Sequence, residues 1–251
     1  ALREVEALPA DAAARRSVEQ TAHAIAFHSR IPAALQKRRA ELKTMANMAW
    51  IKARAESDFA QFRPWLEQVV EVARAYADAI GYEKHPYDAL MSIYEPGETV
   101  ESLGRLFGAL RAGLSPILKA VTAVEQPRSD FLERDYPIDR QHKFGERMAA
   151  LIGYDFKRGR LDNTVHPFEI SFTRNDVRIT TRFYKNYLPP SLFGALHEAG
   201  HGIYEQNVDP AYTRTPLATD LVGYYAVGGV SFGAHESQSR LYENHVGRSL
   251  A

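Results

Sequence analysis

Residues 10–30, 32–58 and 60–81 are three successive stretches rich in Ala, Glu, Arg, Gln and Leu, with few Gly or Pro to interrupt them. Strong helix formers sustained over such runs leave little room for a sheet-based fold, so the amino-terminal part of the chain is expected to be helix upon helix. In the third stretch Phe62, Leu66, Val69, Ala73, Tyr76 and Ile80 recur at alternating steps of four and three, the spacing of one buried stripe. Pro64 suits the first turn of that helix, where its missing N–H is no loss, and Gly81 suits its end. The segment Glu95-Pro-Gly-Glu-Thr-Val reads as a turn. Thr99, with Glu101 and Ser102 after it, is placed to cap a further helix near 100–123, and another helix is expected near 140–153.

The pattern then changes. Ile170-Ser-Phe-Thr and Val177-Arg-Ile-Thr-Thr-Arg-Phe alternate apolar and polar residues on either side of Arg174-Asn175-Asp176, which predicts a β-hairpin. Leu188-Pro-Pro-Ser ends the second strand, and Ser191 is the expected N-cap of a helix running to about Glu205. A Gly/Tyr-rich loop, Leu221 to Gly229, precedes a last helical pattern from about His235 to Val246. With no internal repeat and no clear linker, residues 1–251 read as a single mainly α domain with a small β element beside its last helices.

Composition narrows the function. Lys plus Arg and Asp plus Glu number 31 each, so the basic surplus of a nucleic-acid backbone binder is missing. Zero cysteines exclude disulfides, iron–sulfur clusters and thiolate zinc sites. No apolar run approaches the ~20 residues that span a bilayer. The amino-terminal segment ALREVEALPADAAARR also lacks the apolar core of a secretory signal. The expectation is a soluble, cytoplasmic protein with no nucleic-acid or membrane partner.

The sharpest motif is His197-Glu198-Ala199-Gly200-His201. Two histidines at i and i+4 lie one turn apart on one helix face and can both reach a single metal ion. Glu198 projects about 100° round from His197, where it can flank the ion without ligating it and take a proton from the water that the ion activates. With nine histidines in the chain, the motif would arise by chance only about 2% of the time. Leu192, Ala195, Leu196, Ala199 and Ile203 fall on the opposite side, so the helix can bury its back and show its imidazoles to a cleft.

A catalytic zinc site of this kind takes a third protein ligand and leaves one position open. Tyr204 and Asn207 stand where a His-x-x-Gly-x-x-His extension would put its glycine and third histidine. The remaining candidates are Asp209, Asp220, His235, Glu236 and Glu243. Glu236 lies in His235-Glu-Ser-Gln-Ser-Arg-Leu-Tyr-Glu-Asn, among Ser, Arg and Asn side chains able to hydrogen-bond a ligand, with Arg240 one turn on to orient its carboxylate. Spacing alone leaves Glu236 and Glu243 nearly tied, since both lie on one helix face.

Leu196-His-Glu-Ala-Gly-His-Gly-Ile-Tyr-Glu-Gln, followed by Thr215-Pro-Leu and the His235-Glu-Ser segment, resembles the Taq-type thermostable metallocarboxypeptidase family. His166-Pro167-Phe168 and Asp176-Val-Arg178-Ile-Thr180 match two more of its signatures. His85-Pro-Tyr-Asp-Ala-Leu and Tyr94-Glu-Pro-Gly stand in the expected order, so the resemblance covers most of the chain from about residue 55 onward. It implies an almost wholly helical fold with a small sheet beside a zinc-bearing helix and a deep groove. It further implies a homodimer that removes residues one at a time from peptide carboxyl termini, with broad side-chain tolerance. By the same resemblance His197, His201 and Glu236 are the metal ligands, which breaks the tie against Glu243, and Glu198 is the general base. The ion is zinc, with cobalt or manganese able to occupy the same donors. His166, Asp176, Arg178 and Thr180 are then expected in the wall of the site, with His235 and Arg240 beside the ligands.

Two departures from the family pattern stand out. His197 and Glu236 are 39 positions apart, more than the pattern has, and the surplus falls around 221–229, an enlarged loop near the metal. Family members are also considerably longer. An Ile-Arg-x-x-Ala-Asp motif, whose arginine is thought to grip the substrate's terminal carboxylate, and a Gly-x-x-Gln-Asp-x-His-Trp motif are absent, as expected of a fragment or a truncated product. Arg178, Arg182 and Arg240 are the arginines to try as substitutes. Three readings follow: a zinc metallocarboxypeptidase, an oligopeptidase or endopeptidase using the same centre, and an inactive metal-binding fragment.

Overall fold

The computed structural model describes residues 2–218 and 231–249. Asp220 and the 221–229 loop lie outside the described residues. Within them the chain forms two compact units, residues 2–108 and residues 109–218 with 231–249.

The first unit is helical, with α1 (Leu2–Val5), α2 (Ala13–Ser29), α3 (Ala33–Glu56), α4 (Phe59–Ile80) and α5 (Pro86–Met91). Leu42 and Ala46 of α3 pack on Val72 of α4, flanked by Leu35, Trp65 and Val69. Phe27, Ile31, Tyr76, Ala77, Ile80 and Ala89 make a second cluster that ties α2, α4 and α5 together. Serving two clusters rotates and widens the buried face of α4 relative to the expected stripe. Val72, Tyr76, Ala77 and Ile80 are buried, whereas Leu66 is 37% exposed. Pro64 is not in the first turn either. The carboxylate of Asp58 accepts the Ala60 N–H at 2.9 Å, a side-chain cap that starts the helix at Phe59 and leaves the proline in its interior. Gly81 ends the helix at φ 87°, a conformation that favours glycine.

The expected helix near 100–123 is α6 (Val100–Thr122). Thr99 and Ser102 cap it reciprocally: the Ser102 N–H donates to Thr99 Oγ1 at 3.1 Å and the Thr99 N–H to Ser102 Oγ at 2.9 Å. Among the described residues no helix is long and apolar enough to cross a membrane.

The second unit carries α7 (Ile138–Leu151), β1 (Leu161–Asn163), β2 (Glu169–Thr173), β3 (Asp176–Thr181), α8 (Pro189–Gln206) and α9 (Phe232–Arg240). A π-helical turn, Leu241–Val246, continues α9. The sheet order is β1-β3-β2: the expected hairpin pairs β2 with β3 antiparallel, and β1 joins β3 in parallel. Strand β1 was not legible because three residues are too few for alternation to show. Val177, Ile179 and Thr181 of β3 are fully buried. The first two join Ala149, Tyr154, Leu161, Ala195, Ala199 and Ile203 in one core cluster, so the back of α8 is its buried face, as the pattern required. Its start differs from expectation. Pro189 and Pro190 occupy the first helical positions, where their fixed φ suits the helix. The Ser191 hydroxyl instead donates to Leu188 O at 2.9 Å and to Gln141 Oε1 at 2.6 Å.

Helices α8 and α9 approach until backbone meets backbone. A Cβ added at Gly200 would lie 2.6 Å from Ser239 Cα and 3.0 Å from the Gln238 carbonyl oxygen, which no side chain can relieve by turning away. Gly200→Ala should therefore force the two helices apart at a cost of about 1–3 kcal/mol, read as a lower urea midpoint. An unchanged midpoint would show that the contact is not close-packed.

Candidate metal centre

Consecutive turns of α8 present His197 and His201 with ring centroids 4.9 Å apart and planes at 79°. Glu236, one turn into α9, points its Oε2 between them, 3.1 Å from His201 Nε2 and 3.6 Å from His197 Nε2. One donor atom from each residue lies within 4.8 Å of the other two. A tetrahedral ion with bonds of about 2.0–2.1 Å spaces its ligand atoms about 3.3 Å apart, and the two measured separations bracket that value. A nitrogen, nitrogen, oxygen donor set suits zinc, cobalt or manganese. Among the described residues this is the one group of three His, Asp or Glu side chains so arranged.

Glu243 takes a different place. Its Oε2 lies 2.9 Å from His197 Nδ1, on the far side of the ring from Glu236. The π-helical turn carries it there, a local widening often found at functional sites. Arg240 clasps both carboxylates, donating Nε–H to Glu236 Oε1 at 2.8 Å and Nη1–H to Glu243 Oε2 at 3.1 Å. Ser239 Oγ shares its one hydrogen between the Glu236 backbone O at 2.7 Å and Glu236 Oε2 at 3.0 Å, and Arg248 Nη2 donates to Glu243 Oε1 at 2.8 Å. Burial opposes ionisation of the two glutamates, yet the bonds from Arg240 to Glu236 and from Arg248 to Glu243, with the imidazoles beside them, hold both below the usual carboxyl range.

His201 is pushed down to about 4 by burial, then by His235 and His197, which keeps it neutral. Glu198 is 6% exposed. Burial, then the charges of Glu236 and Glu243, push its carboxyl up to about 8, so it keeps its proton at neutral pH when no cation is near.

The expected wall residues are placed elsewhere in their bonding. Asp176 and Arg178 form a two-pronged ion pair at 2.8 and 2.9 Å, with the guanidinium over the Phe172 ring. Thr180 Oγ1 accepts the Phe168 N–H at 2.8 Å and donates to Phe168 O at 2.9 Å. These bonds stay inside the sheet, and His166 is exposed in the bend before β2. Asp209 caps a short turn through the Ala211 N–H. Arg182 donates to Val165 O at 3.1 Å. His235, by contrast, lies against His201, with ring centroids 4.6 Å apart, planes 19° apart and the two Nδ1 atoms 2.7 Å apart.

Two buried carboxyls were not anticipated. Glu205, 3% exposed, accepts from His235 Nε2 at 2.7 Å. Its signal was available, since 197, 201 and 205 recur at steps of four along one helix face. Glu169 on β2 has a buried Oε1 with no hydrogen-bond partner, and burial, then the charges of Glu205 and Glu198, push it up to about 8.

A helix bearing His-Glu-x-x-His, whose imidazoles meet a carboxylate from a following helix beside a small sheet, has the frame of a metallopeptidase. The chain belongs to the carboxypeptidase Taq (M32) metallopeptidase family, whose model matches residues 1–251. It is 40% identical over 236 residues to carboxypeptidase 1 of Bacillus subtilis, covering 94% of this chain and 45% of that one. It is 37% identical over 231 residues to thermostable carboxypeptidase 1 of Thermus thermophilus, covering 88% and 43%. The crystal structure of BsuCP matches with a TM-score of 0.89 at 39% identity, over 98% of this chain and 48% of that one. The chain thus spans about half the length of the relatives it matches.

Glu169 generates a pH test. The folded protein holds a proton that the unfolded chain releases above its ordinary value of 4.5, so stability is full below that value and is lost as pH rises through about 8. In the metal-free protein Glu169→Gln should shrink the fall in unfolding free energy between about pH 5 and about pH 9 by about 2–4 kcal/mol, measured by urea denaturation. Parallel pH profiles for parent and variant would refute this.

Proposed function

We propose that this chain carries the catalytic centre of a zinc carboxypeptidase that releases residues from peptide carboxyl termini with broad specificity. His197, His201 and Glu236 hold the ion and Glu198 is the general base. The observation that carries the reading is the convergence of two imidazole Nε2 atoms on Glu236 Oε2 beside a buried carboxyl that belongs to the same helix. When bound, the ion polarises the scissile carbonyl and lowers the pKa of water to about 7. Its positive charge would favour the ionised form of Glu198 against burial and the neighbouring Glu236 and Glu243. Glu198 then takes a proton from the attacking water and passes it to the leaving amine. Arg240 keeps the Glu236 carboxylate aimed while Glu243 holds His197. Family kinship extends the proposal to a homodimer, and composition to a cytoplasmic location.

An exopeptidase also needs a cation for the substrate's free carboxylate. Arg178, Arg182 and Arg240 are each engaged, by Asp176, by Val165 O and by the two glutamates. A second reading is an oligopeptidase that ignores the terminal carboxylate. The two are separated by comparing a peptide with its C-terminally amidated form: the carboxypeptidase loses the amidated substrate, and equal cleavage supports the oligopeptidase. In either case Glu198→Gln should lower kcat about 10²–10⁴-fold while zinc stoichiometry is unchanged. Hydrolysis unaltered by that substitution would remove the base assignment.

A further inference from the structure

We propose that Glu205 is a positioning residue that acts through His235 to set the tautomer of His201, so that its Nε2 is left bare for the ion. This rests on the metal-centre reading above. Glu205, His235 and His201 form a chain of two hydrogen bonds, Glu205 Oε1 to His235 Nε2 at 2.7 Å and His235 Nδ1 to His201 Nδ1 at 2.7 Å. With Glu205 Oε1 as the acceptor of this contact, the hydrogen of His235 sits on Nε2. A neutral imidazole has one hydrogen, and His235 Nδ1 is then an acceptor. His201 must in turn place its hydrogen on Nδ1, which leaves a lone pair on Nε2, the atom 3.1 Å from Glu236.

The neighbouring ligand is built on the same principle with one link fewer. Glu243 accepts directly from His197 Nδ1 at 2.9 Å and frees His197 Nε2. The longer arm is held at both ends: Glu205 is buried in α8, and His235 lies between Glu205 and the ring of His201. Glu205 therefore directs a metal donor without approaching the metal site itself.

The test uses the full chain and zinc chloride. Long-range proton–nitrogen spectra of the metal-free protein should show His201 protonated at Nδ1 and His235 at Nε2; His201 protonated at Nε2 overturns the proposal without any substitution. Glu205→Gln, whose amide can donate as well as accept, and His235→Phe, which keeps a ring but removes both nitrogens, should each weaken zinc binding about 10–100-fold in competition with a chromogenic chelator. Because Glu205 acts through His235, the double variant should bind no more weakly than His235→Phe alone. Additive losses, or unchanged affinity in Glu205→Gln, overturn the relay while leaving the metal centre standing. A parent chain that takes up no zinc removes the metal centre and the relay together.

Discussion

The contact between Gly200 and Ser239 is the constraint on which the centre depends. It brings the backbone of α9 against the backbone of α8, with no side chain between them to act as a spacer. Glu236 extends from one helix and the two imidazoles from the other, so the separation of the donor atoms is fixed by main-chain contact. The core behind α8 supplies the opposing support. Ala195 and Ala199 are fully buried against Val177 and Ile179 of β3, and small residues there let the helix sit close to the sheet. The sheet holds the ligand helix from behind, and the glycine admits the second helix in front.

Such an arrangement concentrates carboxyl groups, with Glu198 and Glu205 buried and the Glu236 side chain still 42% exposed. Glu236 and Glu243 flank the His197 and His201 imidazoles, Glu205 meets His235, and the charges of Glu205 and Glu198 act on Glu169. Burying so many carboxyls is unfavourable unless each is paired or neutral. The structure uses both solutions. Arg240 and Arg248 hold Glu236 and Glu243 ionised, whereas Glu169 and Glu198 keep their protons.

Helices and hairpin were legible because their signals are local. The Thr99 and Ser102 cap, the Arg174-Asn175-Asp176 turn and the apolar back of α8 all act over a few residues, and all are found. Failures came where tertiary context overrode a local cue. Asp58 started α4 earlier than Pro64 suggested, and the hydroxyl of Ser191 was drawn to Gln141. In the site, the His197 and His201 pair could be read from spacing, while the choice between Glu236 and Glu243 needed kinship. Seven residues apart in an α-helix they share a face; only the π-helical turn, which no periodicity announces, sends them to opposite sides of the His197 ring. Glu205 was overlooked because a glutamate in a helix is usually solvated, although its step of four was in view.

The clasp of Arg240 and Ser239 on Glu236 has a consequence for how an ion is captured. In many small zinc domains the ligands are scattered until the metal gathers them, and binding is folding. Here the carboxylate is already held at Oε1 by Arg240, with the Ser239 hydroxyl shared between Oε2 and the Glu236 carbonyl, and the imidazole Nδ1 atoms are tied behind. Little rotamer freedom is left to surrender. On the reading proposed above, an ion would dock into a preformed socket rather than gather scattered ligands.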